Sequence, residues 1–132
     1  MNIDKENTLE DNKDPSKKYE PNDFIKTGIF IGYSPFCQDV IKHLNKELGE
    51  KRGIKYYICT RNGNDEQVTF TIESPKKRNL LTIQPNRTLQ HVKKLEIRDQ
   101  NNYPNPFLKK ITALEELGEV ISRVESLLED IQ

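Results

Sequence analysis

Tryptophan is absent from this chain of 132 residues, methionine occurs once, and cysteine and histidine occur only twice each. Two cysteines, Cys37 and Cys59, make no disulfide framework. With His43 and His91 they also fall short of the three or four patterned ligands a zinc site needs. No run approaches the ~20 apolar residues of a membrane span, and the first residues lack the apolar core of a signal peptide. A cytoplasmic protein without a membrane is the expectation. Gly28 and Gly32 flank an apolar run but match neither the P-loop nor the dinucleotide pattern, so no cofactor is expected.

Charge is abundant instead. Acidic and basic residues balance at 21 each, but they are segregated along the chain. Residues 1–23 carry seven acids against four bases, 24–98 seven against fourteen, and 99–132 seven against three. The first 23 residues are almost wholly polar, too poor in apolar surface to offset the entropy of ordering, and read as a disordered acidic arm. Residues 24–132 then form a single domain.

Within that domain, Phe24–Ile31 is a short apolar run whose length and branched residues predict a strand buried on both faces. Ser34 and Pro35 predict a helix start, with the hydroxyl as cap and proline at the first position. Phe36, Cys37, Val40, Ile41, Leu44 and Leu48 share one face of that helix, which Gly49 or Gly53 ends. Ile54–Thr60 reads as a strand, and Asn62-Gly63 as a tight hairpin turn. Val68, Phe70 and Ile72 alternate with polar residues in a half-buried strand. Another strand covers 79–83. Residues 88–98 suit a short helix or a strand, and a strand entered through an irregular turn is the reading adopted.

Residues 99–106 are a loop by composition. Asn105-Pro106 offers one helix start, and Thr112 with Glu115 a second, as a capping box. Leu114, Leu117, Ile121, Val124, Leu128 and Ile131 then repeat at helical spacing, with Val120 and Leu127 widening the stripe. The fold class is α+β: helices on one face of a mainly antiparallel sheet, in the order β-α-β-β-β-(β)-α.

Ser34-Pro35-Phe36-Cys37 resembles the Cys-Pro-Phe/Tyr-Cys redox site of glutaredoxin-like proteins, over about eight residues. That resemblance implies a thiolate at the helix start, but serine holds the attacking position and cannot exchange disulfides. Beyond the helix the pattern departs from the family: a hairpin follows the second strand where a helix belongs. Ser34 is therefore expected to be a cap and Cys37 a small core residue. His43 lies six positions after Cys37 on the same helix, too far round to activate it. No catalytic set emerges, and the chain reads as non-enzymatic.

Two binding features remain. Lys76, Lys77, Arg78, Arg87, Lys93, Lys94 and Arg98 fall within 23 residues with Glu96 as the only acid, a candidate basic stripe. The final helix, widened by Val120 and Leu127, offers a face to a second copy or another protein. The expected function is a small interaction module, an adaptor, inhibitor or chaperone-like protein that binds a partner protein. The alternative is nucleic-acid binding through residues 76–98.

Overall fold

The computed structural model describes residues 16–61, 67–73, 78–98 and 105–131. They form an antiparallel meander of six strands in sequential order. The strands are β1 (Ser16–Tyr19), β2 (Tyr57–Arg61), β3 (Gln67–Ile72), β4 (Arg78–Gln84), β5 (Val92–Ile97) and β6 (Phe107–Ile111). Three helices separate β1 from β2: α1 (Pro21–Phe24), α2 (Gly28–Ile31) and α3 (Pro35–Leu44). α3 continues as a π-helical segment, Asn45–Lys51, and a 3-10 turn, Leu114–Glu116, leads into the last helix, α4 (Leu117–Ile131). This is the α+β architecture with helices on one face.

The core lies between that helical layer and the sheet. Ile58, Val68, Phe70, Leu81, Ile83, Leu95 and Ile97 meet Val40, Ile41 and Leu44 of α3 and Leu117, Val120, Val124 and Leu127 of α4. The opposite face of the sheet is polar. Strand register aligns one row across all six strands: Lys18, Cys59, Thr69, Thr82, Glu96 and Leu108.

The helix starts follow their sequence signals. Ser34 accepts from Cys37 N at 3.3 Å and Pro35 takes the first helical position. Gly53, at φ 67°, closes the π-helical segment: its N–H donates to Gly49 O and that of Ile54 to Leu48 O. Only a residue without Cβ adopts that backbone freely, so Gly53 rather than Gly49 is the stop. At the last helix the box is shifted by one residue. Glu116, not Glu115, accepts from Thr112 N (2.7 Å) and Ala113 N (3.1 Å).

Three expectations are corrected. Phe24–Ile31 is not a strand but the end of α1, a turn and α2. Thr27 caps α2 by accepting from Phe30 N, while its hydroxyl donates to Phe24 O. Phe24, Phe30 and Tyr33 then cluster, with ring centroids 5.8 to 6.5 Å apart. The first strand lies earlier, at Ser16–Tyr19, so order reaches back into the segment read as an arm; residues 1–15 lie outside the described residues. Finally, Asn105-Pro106 leads into β6 and not a helix. β2 and β3 do pair as a hairpin, but Arg61 faces Gln67, a wider spacing than a two-residue turn allows. Asn62 and Gly63 themselves lie outside the described residues.

Candidate functional site

The five described basic residues of the predicted stripe do not form one surface. Lys76 and Lys77 lie outside the described residues. Arg78 opens β4 while Gln84, the partner of Lys94, closes it, so the two ends stand roughly 20 Å apart at strand rise. Arg87 sits over the Tyr33 ring at 5.4 Å, against the helical layer. Arg98 donates to Glu96 from Nε (2.9 Å) and from a terminal nitrogen (2.6 Å). Glu96, the single acid of the stretch, thus divides Lys94 from Arg98 and compensates both.

What the fold does assemble is smaller. Between Val92 and Leu95 the register of β5 against β6 shifts by one residue, a bulge that re-aims Lys93 and Lys94. β6 brings up Leu108, Lys109 and Lys110. With Gln84 these residues line a shallow concavity of about 310 Å³. Lys93 and Lys110 are exposed and have no ion pair among the described residues. Lys94 stands 3.8 Å from Glu96 and Lys109 4.0 Å from Glu116, both partly exposed. Surface pairs of this kind contribute about 0–1 kcal/mol, so an incoming carboxylate can replace them. Leu108 is 54% exposed in the middle of the group.

β6 is also an outer strand of the sheet. Among the described residues no strand pairs with its far side, whose backbone N–H and C=O groups an added strand can meet. The site therefore combines the exposed Lys93 and Lys110, Lys94 beside Glu96 and an apolar anchor at Leu108, with Lys109 at its margin turned toward Glu116. Lys109, Lys110 and Leu108 were missed in the sequence because the acidic tail masks them in any charge average.

The helical surface expected to meet a partner is otherwise used. Val120 and Leu127 are 0% and 2% exposed and belong to the core with Leu117, Ile121 and Val124, while Leu128 is partly buried against it. The exposed faces of α4 carry Gly118, Glu119, Ser122, Arg123, Glu125 and Ser126. Nothing lies within 4 Å of a Cβ added at Gly118, so no close approach requires that glycine.

The glutaredoxin-like stretch resolves as packing. Cys37 is fully buried; its thiol donates to His91 O and accepts from Asn86 N, both at 3.3 Å. It ties the loop after β4 to α3. Tyr56 and Tyr57, adjacent aromatics of the kind that could stack on bases if exposed, are both only 6% exposed. Tyr56 stacks on Phe70 in the core, and Lys18 covers Tyr57 on the other face at 4.2 Å. Among the described residues no group of three or more His, Cys, Asp or Glu is placed to hold a metal ion, and no helix is long and apolar enough to cross a membrane. No family model, curated protein or solved structure matches the chain.

Proposed function

We propose that this protein is a small non-enzymatic interaction module that binds an acidic, extended segment of a partner protein along β6. One observation carries the reading: four lysines and an exposed leucine line a single shallow concavity that runs from β4 across β5 to the outer strand β6. Lysines on an edge also discourage pairing with a second copy. Their convergence around Leu108 goes further, because it supplies charge for an acidic segment and an anchor for one apolar side chain. Backbone pairing would give affinity, Leu108 an apolar contact, and the lysines association rate and partner choice.

Nucleic acid is the weaker reading. The lysine group would attract phosphates, but Tyr56 and Tyr57 are packed away and no aromatic among the described residues lines the concavity. A paired pull-down from native extract separates the two. Tagged wild type and Lys93→Glu/Lys110→Glu protein are each used with and without nuclease, and captured proteins are identified by mass spectrometry. The expected result is a stoichiometric protein lost on charge reversal and indifferent to nuclease. The same proteins on both baits, or capture that nuclease abolishes, would overturn the reading.

A further inference from the structure

The lysine concavity lies at the same end of the sheet as the chain's entry into β1. Ser16 pairs with Arg61, and Arg61 with Gln67. One residue in from Gln67, Val68 pairs with Ile83, so Gln84 continues the row; Gln84 then pairs with Lys94. Gln84 and Lys94 line the concavity with Lys93 and Lys110. Lys110 stands two residues beyond Leu108 and shares its polar face of the sheet. The row crosses six strands, five spacings of ~4.8 Å, or about 24 Å in all.

The fifteen residues before Ser16 lie outside the described residues, and their sequence is MNIDKENTLEDNKDP. Fully extended, they reach up to about 50 Å. Crossing the row uses about eight of them at ~3.3 Å each, which leaves the piece from Met1 to about Asn7 at the lysines. That piece brings Asp4 and Glu6 to the site, with Ile3 as an apolar side chain. Charge is complementary: residues 1–15 hold five acids against two lysines, while Lys93 and Lys110 are exposed with no ion pair among the described residues. Leu108, 54% exposed, gives Ile3 a counterpart. Of the lysines nearer to Ser16, Lys17 alternates onto the helical face of β1 and Lys18 is held by Glu73 at 3.3 Å.

We infer that residues 1–15 of the same chain cross the polar face and set their acids on Lys93, Lys94 and Lys110 while no partner is bound. The segment is then a tethered competitor for the acidic partner. Its regulatory role, though not the contact itself, rests on the function proposed above. At an effective concentration of a few mM, against a contact with a dissociation constant on the order of 1 mM, it lowers the apparent affinity for a partner several-fold.

The test is paramagnetic NMR on the full chain. Cys59→Ser removes the more accessible thiol, and Asn7→Cys receives a nitroxide label. A docked segment should broaden amides 92–94 and 108–110 most. A free one, with an r.m.s. reach of roughly 15–18 Å from Ser16, would broaden β1 and β2 most and β6 least. The broadening at β6 should vanish in about 0.5 M salt and in the Lys93→Glu/Lys110→Glu background. A peptide alternating glutamate with valine should displace the segment and restore those signals as it saturates. Without the label, Asp4→Asn/Glu6→Gln should tighten that peptide by about threefold. Peptide binding with the free-segment pattern would overturn the inference and leave the proposed function standing. Broadening at β6 with no peptide binding would uphold the contact and overturn the function. Broadening that passes to unlabelled copies mixed with labelled ones would assign the contact to a second copy and overturn the inference.

Discussion

Replacing Phe24 and Ile31 in turn tests the segment where structure and sequence pattern disagree most. A strand over 24–31, buried on both faces, would make both residues core. In the structure Phe24 is fully buried and Ile31 is 63% exposed. The Phe24 ring lies 5.6 Å from Tyr19, 5.8 Å from Phe30 and 6.5 Å from Tyr33. Truncating a buried phenylalanine costs about 3–5 kcal/mol. Three aromatic neighbours place Phe24→Ala toward the upper part of that range. Ile31→Ala removes exposed surface and should cost within about 0.5 kcal/mol. With a urea slope near ~2 kcal/mol/M, a loss of ~4 kcal/mol moves the unfolding midpoint down by about 2 M, while Ile31→Ala barely moves it. If Phe24→Ala does not fold, Phe24→Leu should retain the fold at a cost under about 1.5 kcal/mol. A loss below ~1 kcal/mol for Phe24→Ala, or above ~1.5 kcal/mol for Ile31→Ala, would refute the helical packing of this segment.

Other outcomes follow from single residues. Gly118→Ala should raise stability in urea by about 0.8–1 kcal/mol, since the position is helical, exposed and open to a Cβ. In native protein, Ellman's reagent should modify the half-buried Cys59 first, and Cys37 only as the molecule opens; equally fast reaction of both would contradict the thiol's place beneath the 86–91 loop. Backbone N–H bonds from Thr112 and Ala113 hold the Glu116 carboxyl below the usual carboxylate range. A lowered folded pKa contributes stability above the unfolded value, lost as pH falls through the folded one. The stability gap between wild type and Glu116→Gln, measured in urea, should therefore be full near pH 6 and close as pH drops from about 5 toward 2. A gap constant over that range would exclude the carboxylate as the helix cap.

Strong local signals survived into the fold. Ser34-Pro35 caps α3, the Val68-Phe70-Ile72 alternation makes β3, and the long stripe from Leu117 makes α4. The misreadings share a physical cause: they concern elements whose identity is decided by what they pack against. Ser16–Tyr19 has one apolar-bodied residue, and its pairing with β2 gives it strand form. The apolar run 24–31 hides a change of direction at Thr27, because continuous hydrophobicity carries no period. Phe107–Ile111 is five residues long and begins just after Pro106, so only its pairing with β5 reveals it.

The binding surface follows the same division. Lys93 and Lys94 are adjacent in sequence and were legible as basic. Lys109 and Lys110 join them through strand register, which no local pattern encodes. Val120 and Leu127 fail as surface residues for the converse reason. A wide apolar stripe looks alike whether one layer covers it or two, and here the core takes Val120 and Leu127 along with Leu117, Ile121 and Val124.

The central claim is that the lysines of β5 and β6 receive an acidic extended segment. The most direct measurement is fluorescence anisotropy of a labelled peptide alternating glutamate with valine, titrated with wild type and with Lys93→Glu/Lys110→Glu. Single-stranded DNA of matched charge serves as the competitor. Saturable peptide binding that weakens as salt rises from about 0.05 to 0.3 M, disappears on charge reversal and outlasts the DNA is the predicted result. Equal affinity for the reversed protein, or displacement by DNA at lower concentration than by unlabelled peptide, would contradict it.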